Sequence, residues 1–478
     1  MDERIIDNFL SLARIPRKSH HEEAVSLFLY HWAQEQGLSV CRDEMGNVII
    51  DKPGTPGCEN APVTILQAHM DMVCVAEPGR AYDPLCDPIR VINDGVTLKA
   101  DGTSLGGDDG IGVAIAMAIL GDDAAVHGPI RAIFTVDEED GMDGADALEA
   151  RHLDAKYVIN LDWESYGSLC CSSAGSDMYA FRRAVAREGT EGMSAFVLSA
   201  RDFEGGHSGA QIHLGRANAI RVCAFVLAAA VKGGCPVRLA SFKGGVAHNA
   251  IPAQAEALVV VPAELEETFM SACASQIDAL AEGFALTDPG AVITLLSAEL
   301  PEKAASAEDS VACLGLLTAI HDGVNTMSPS IPGLVESSSN IGLAALEDGE
   351  FGFTVHQRSS EPQRTAEMRA EFDRLAEEFG FIMEQLSSGP AWPVRPDSEL
   401  VEICKRHFAV LNGREIRVEP VHAGLECGAF AAKNPALDII SIGPDILDIH
   451  SPRETLVLET VYKCDALVRS MLAEIAGQ

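Results

Sequence analysis

The sequence predicts an α/β protein in which a mainly parallel sheet is interrupted by an inserted α+β domain. Short apolar runs alternate with helical segments, as in βαβ units. Four of these runs lead directly into clusters of His, Asp and Glu. A long middle stretch carries further apolar runs of a different layout. In chain order, Val25, Phe28, Leu29 and Trp32 fall at i, i+3, i+4 and i+7, which makes one face of a helix within residues 22–36, and Gly37 ends it. The apolar runs 63–67, 130–136, 158–161 and 438–442 follow as strands. Between the first two lie a loop rich in Gly and Asp and a small-residue helix over 109–120. From about 177 to 389 come the runs 195–199, 257–261, 291–296 and 352–356, with a helix placing Met368, Phe372, Leu375 and Phe379 on one face. Ser387–Pro390 reads as the return hinge and 398–411 as the helix that resumes the first domain. The expected division is 1–176 and 391–478 for the first domain and 177–390 for the insertion. No fixed-period repeat or low-complexity tract is present.

Composition narrows the class. A length of 478 residues is roughly three times a ~150-residue domain, so two or more domains are expected. With 47% hydrophobic and 22% charged residues the chain can bury a core and is not a disordered acidic tail. The 35 Lys plus Arg against 71 Asp plus Glu leave a net charge of −36, which argues against a nucleic-acid or anionic-membrane partner. The start, MDERIIDNFL, lacks the pattern of a secretory signal, and the longest apolar stretches, 113–120 and 222–231, are about half a membrane span, so a soluble cytoplasmic protein is expected. Thirteen cysteines without a C-x-x-C pair read as reduced, structural thiols.

The polar clusters carry the chemistry. The runs 63–67, 130–136, 158–161 and 438–442 lead into A-H-M-D, D-E-E-D, D-W-E-S and G-P-D-I-L-D-I-H-S-P respectively, at the sheet edge where ligands bind in open α/β folds. Taken as metal ligands, His69, Asp108, Glu139, Asp162 and His450 supply two imidazoles and three carboxylates, a donor set that Zn²⁺ accepts. Three carboxylates exceed one ordinary zinc site but suit two ions if one of them bridges. Asp71 could then accept the other ring N–H of His69, and Glu138 is free to move a proton between a water and a leaving amine. Each cluster also has a plain structural reading. A lone His at a strand end is more often a core group, D-E-E-D can be a solvated loop or helix start, and Asp109 can cap the following helix.

The ordered set Q-A-H-M-D-M-V, L-G-G-D-D-G-I-G, F-T-V-D-E-E, I-N-L-D, G-G-H-S-G, H-N-A-I-P, H-A-G-L-E-C-G, I-S-I-G-P and I-H-S-P resembles the aminoacyl-histidine dipeptidases, dizinc enzymes of the M20 metallopeptidase clan also called cytosol non-specific or PepD-type dipeptidases. The resemblance spans nearly the whole chain. It implies hydrolysis of unblocked dipeptides, Xaa-His and β-Ala-His among them; the alternatives are acylase chemistry on N-acyl amino acids within the clan and a non-catalytic binding protein on the same fold, against which the presence of Glu138 and of every proposed ligand speaks. It implies two Zn²⁺, with Co²⁺ or Mn²⁺ as substitutes. His69 and Asp162 would hold one ion, Glu139 and His450 the other, and Asp108 would bridge, leaving Asp109 as the cap. Asp71 would support His69 and Glu138 would be the general base. The insertion would be a lid or dimerisation domain, so a homodimer is expected. From the insertion, His207 would polarise the scissile carbonyl, while Asn340 and Arg358 would take the substrate carboxylate, for which a guanidinium fork is suited. His248, His422 and Glu426 either line the cleft or serve local hydrogen bonding. The chain departs from the family pattern at Trp163, Glu164, Ser165 and Tyr166, where an acidic run is usual, and at Ala253 and Gln254. The first departure raises the expectation of an altered pocket.

Overall fold

A computed structural model describes residues 3–329, 331 and 333–478. They form two compact units. The first takes in the chain up to Ser173, Trp392–Pro420 and Leu425–Gln478; the second is Ala174–Ala391 with Val421–Gly424.

The first unit is built on an eight-stranded sheet. Its four central neighbours, Ile130–Thr135, Thr64–His69, Tyr157–Asn160 and Asp438–Ser441, are mutually parallel. These are the four strands expected from the apolar runs, and their burial on both faces explains why they read as continuous hydrophobic stretches. The flanks run antiparallel, with Ser39–Arg42 and Val48–Lys52 on one side and Ser168–Ser173 on the other. Because the central strands share one direction, all four polar clusters emerge along one edge. The helix Gly107–Leu120 is buried on every side, packed against Thr64–His69 and the helix Glu3–Leu12. Its run of Gly, Ala and Ile suits that close packing. The helix Glu23–Glu35 ends ahead of Gly37, which takes φ +71°.

The second unit carries a nine-stranded antiparallel sheet, on which the helices Ala219–Lys232, Glu266–Phe284, Ala307–Ala319 and Pro362–Phe379 pack. Met368, Phe372 and Leu375 face its core, and Phe379 packs at the margin. The expected hinge at Ser387–Pro390 is corrected: Ser387–Gly389 belong to the strand Ile382–Gly389, which passes a bulge after Gln385 and stays paired with Gly175–Ala184. Backbone pairing outweighs the turn preference of Ser-Ser-Gly. The chain then enters the helix Glu399–Asn412, whose cap Ser398 accepts the Val401 N–H at 3.0 Å. No disulfide links the described cysteines, and no described helix is long and apolar enough to cross a membrane.

Candidate active site

Two buried side chains shape the loops of the first unit before any candidate ligand is placed. The Arg17 guanidinium, 2% exposed, donates to the carbonyls of Met70 (2.8 Å), Asp71 (2.7 Å) and Gly106. The Glu454 carboxylate accepts four successive N–H groups, from Leu105, Gly106, Gly107 and Asp108, at 2.7–3.3 Å. Together they fold L-G-G-D-D into a loop that aims Asp108 at His69 and His450. Gly106 is required there: its φ is +68°, and a Cβ would lie 2.5 Å from the Arg17 guanidinium. Asp108 and Asp109 have non-helical backbone angles, so the expected helix over 109–120 becomes regular only after Asp109, whose carboxylate caps it through the Gly112 N–H at 3.1 Å. Glu454→Ala leaves the four N–H groups without their carboxylate and is expected to lower the unfolding free energy by about 2–3 kcal/mol in urea titrations.

On this support the five expected donors converge. His69, the last residue of its strand, sets Nε2 3.1 Å from Asp108 Oδ1 and 3.5 Å from Asp162 Oδ1. His450 sets Nε2 3.1 Å from the other oxygen, Asp108 Oδ2, and 2.9 Å from Glu139 Oε2. The donor atoms form two groups, His69–Asp108–Asp162 and Asp108–Glu139–His450, each with all atoms within 4.8 Å and with Asp108 common to both. The field of these carboxylates is strong. It holds the His450 imidazole up at about 11, through its contacts with Asp108 and Glu139. Burial works against the charged form of His69, yet Asp162, Asp108 and Asp71 raise its pKa well above the ordinary value. Groups that hold protons this firmly can equally hold cations, so the donor set and spacing fit a pair of metal ions sharing Asp108.

Asp71 Oδ1 lies 3.3 Å from His69 Nδ1, and the same carboxylate accepts the Ser19 hydroxyl and the N–H groups of Glu138 and Glu139. It therefore orients the His69 ring and the D-E-E-D turn at once. Although burial pushes its pKa up, the His69 ring and these N–H donors bring it down to about 2. The turn is gripped from outside by His20, 3.1 Å from Asp137 Oδ1 and 2.7 Å from Asp140 Oδ2. Glu138 goes the other way: burial, and then Asp162, Glu139 and Glu426, raise its pKa well above the carboxylate range despite His69.

Below this layer runs a hydrogen-bonded chain that motif reading does not resolve. The Ser441 hydroxyl donates to Asn160, Asn160 Nδ2 to Gln67 Oε1 (2.5 Å), and Gln67 Nε2 to Glu426 Oε2 (2.5 Å), which also accepts the Thr135 hydroxyl (2.9 Å). Glu426 is wholly buried and pushed up to about 7 by that burial. It lies under the strand ends and ties neighbouring strands together. Arg17 and Glu454 had no spacing signal, because each acts on backbone groups remote in sequence; of the two roles expected for Glu426, cleft lining or hydrogen bonding, the structure shows hydrogen bonds to Gln67 and Thr135.

Trp163 and Tyr166 are engaged elsewhere: the indole N–H donates to Ser168 Oγ (2.9 Å), and the Tyr166 hydroxyl accepts from Asn412 (3.0 Å) with its ring on Phe408.

In the second unit, His207 lies in the short strand Gly206–His207 and accepts the N–H groups of Gly209 (3.2 Å) and Ala210 (3.0 Å) at Nδ1. The neutral ring thus carries its proton on Nε2. Asn340 and Arg358 occupy the paired strands Val335–Glu347 and Glu350–Ser359, where the register sets Ser338 opposite Arg358 and Asn340 opposite His356. Asn340 Nδ2 donates to the Ala250 carbonyl at 2.9 Å and its Oδ1 is buried without a partner. Arg358 is 5% exposed, and no acidic side chain among the described residues pairs with it; burial pulls its pKa down to about 10. A Cβ on Gly209 would meet the His422 carbonyl at 2.6 Å, His207 Cε1 at 3.0 Å and Arg358 Nε at 3.1 Å, so a glycine keeps these groups close. His422 Nε2 is 2.7 Å from Ser338 Oγ, and the His248 ring is 5.7 Å from that of His356.

A parallel-sheet unit with two donor groups sharing one carboxylate defines a hydrolase of the metallopeptidase kind. Residues 65–474 match Peptidase family M20/M25/M40, and the chain belongs to that family. It is 34% identical, over 99% of its length and 97% of the relative's, to the cytosol non-specific dipeptidase of Escherichia coli (strain K12). Its fold matches the crystal structure of the aminoacylhistidine dipeptidase from Vibrio alginolyticus with a TM-score of 0.88, at 33% identity, covering 98% of this chain and 96% of that one. The aminopeptidase PepT of Bacillus cereus shares the fold at a TM-score of 0.56 and 17% identity, covering 100% and 99%.

Proposed function

We propose that this protein is a cytosolic metallodipeptidase that hydrolyses the peptide bond of unblocked dipeptides, Xaa-His and β-Ala-His included. The observation that carries the reading is the division of Asp108, whose two oxygens serve two separate His-carboxylate groups. His69 and Asp162 would hold one cation, Glu139 and His450 the other, with Asp108 between them. Zn²⁺ suits this donor set, with Co²⁺ or Mn²⁺ as alternatives. When bound, the cations supply Lewis acidity and lower the pKa of a water to near neutrality.

The chain's own residues do the rest. Glu138 takes the proton from the attacking water and returns it to the departing amine. Its raised pKa suits the second task, because a carboxyl that gains a proton readily is held ready as an acid. Asp71 keeps the His69 ring in one orientation and the Glu138 turn in place. His207, with its proton on Nε2, offers a donor to the carbonyl oxygen. Arg358 and Asn340 bind the free carboxylate of the dipeptide; a buried guanidinium without a counter-charge calls for an anionic ligand.

Comparing Ala-His and β-Ala-His with N-acetyl amino acids, together with metal analysis of the purified protein, tests this reading. Turnover confined to the N-acetyl compounds would overturn it. Arg358→Ala is expected to raise KM for a dipeptide by about 10- to 100-fold with a smaller change in kcat. The amide of the same dipeptide, which lacks the carboxylate, should lose little.

A further inference from the structure

The second unit keeps buried polar groups that its own hydrogen bonds leave open. The strand Glu350–Ser359 is paired without a bulge of its own, so its residues alternate between two faces. Phe351, Phe353 and Val355 enter the core shared with the helices. His356 and Arg358 turn to the opposite face, where the register sets Asn340 beside His356 and Ser338 beside Arg358. The segment 248–250 lies along this face: Asn340 Nδ2 donates to the Ala250 carbonyl at 2.9 Å, and a Cβ on Gly342 would meet His248 Cα at 2.7 Å. His356 is 8% exposed, and its Nδ1 is buried without a hydrogen-bond partner among the described residues, as are Asn340 Oδ1 and Arg358 Nε. Burial, and then Arg358, His248 and His207, lower the pKa of the His356 ring to about 2, so the ring is neutral and offers one N–H donor and one acceptor nitrogen. Arg358 and Asn340 have a place in the scheme above; His356 has none.

We propose that His356, together with Asn340 Oδ1, reads the side chain of the dipeptide's second residue and favours one that both donates and accepts a hydrogen bond, an imidazole or a primary amide. The inference rests on the dipeptidase reading. A carboxylate only accepts hydrogen bonds, so it can meet the Arg358 guanidinium and the Asn340 N–H that Ala250 leaves free, but neither Asn340 Oδ1 nor the acceptor nitrogen of His356. Those two acceptors and the ring N–H call for a different group. Residues two apart on a strand are separated by about 6.5–7 Å. The imidazole nitrogens of a C-terminal histidine lie about 4–6 Å from its carboxylate carbon by covalent geometry. A carboxylate on Arg358 therefore leaves its own side chain within reach of His356. An imidazole or amide there satisfies the open donor and the open acceptors together, whereas a leucine side chain covers them and leaves them unpaired.

Steady-state kcat/KM for Ala-His, Ala-Gln and Ala-Leu, measured on the metal-loaded, full-length protein, tests the proposal. The wild type should favour Ala-His and Ala-Gln over Ala-Leu by roughly 10- to 100-fold. His356→Phe keeps a planar ring without polar atoms and should bring the three substrates to within about threefold, chiefly by slowing the first two. His356→Gln, which keeps a donor and an acceptor, should restore part of the preference. Each preference is a ratio taken on one preparation, so a variant that folds in lower yield still reports it. A Phe variant that keeps the wild-type preference overturns the assignment, as does an equal proportional loss on all three substrates in both variants, the mark of a purely structural role. A wild type that treats Ala-Leu like Ala-His and Ala-Gln overturns it as well. A wild type that cleaves none of the three overturns the dipeptidase reading itself, an outcome read without any variant.

Discussion

Glu138→Ala lowers kcat by about 10²- to 10⁴-fold while metal content remains at the wild-type level, as measured by steady-state kinetics and elemental analysis on the same preparation. The size of the effect follows from removing the group that both accepts and returns the proton. The retention of metal follows from the geometry: both donor groups are complete without Glu138. The turn should also survive, because Asp71 holds it through the backbone N–H groups of residues 138 and 139, which alanine keeps. Turnover near the wild-type rate would place the base elsewhere; loss of metal would make Glu138 a ligand.

Asp108→Asn is expected to remove activity and metal together. The substitution preserves size, but an amide presents one acceptor oxygen and one NH₂ group, so it cannot serve His69 and Asp162 on one side and Glu139 and His450 on the other. Both groups lose their shared donor. Since a ligand bound only by the native state stabilises it by about 2.7 kcal/mol at a hundredfold excess over Kd, the wild type should show a metal-dependent rise in Tm that the variant largely lacks. An unchanged metal content and an unchanged thermal response would remove Asp108 from the bridging position.

Much of this site was readable before any coordinates. His69, Asp71, Asp108, Glu138, Glu139 and Asp162 each lie within a few residues of an apolar run or a Gly-rich loop, and a buried parallel strand announces itself by its continuous hydrophobicity. The G-G-D-D loop announced a capping Asp109, and the structure contains it, with Asp108 beside it, buried between His69 and His450. What was not readable acts at long range. Arg17 reaches the carbonyls of Met70, Asp71 and Gly106, and Glu454 collects N–H groups some 350 positions earlier in the chain. The terminal helices Glu3–Leu12 and Leu458–Ala476 and the small sheet joining Thr97–Ala100 with Thr455–Val457 also went unread, the sheet because its strands are only three or four residues long.

The sequence by itself determined the class of this protein, an α/β chain with His and carboxylate donors at four strand ends, because strand periodicity and donor chemistry are local properties. Only the tertiary structure decided how those donors divide. That Asp108 faces both imidazoles and that Asp71 serves a ring and a turn at once depend on which loops meet at one sheet edge. The meeting is set by parallel pairing and by buried charges on distant backbone groups, neither of which leaves a mark in the spacing of residues along the chain.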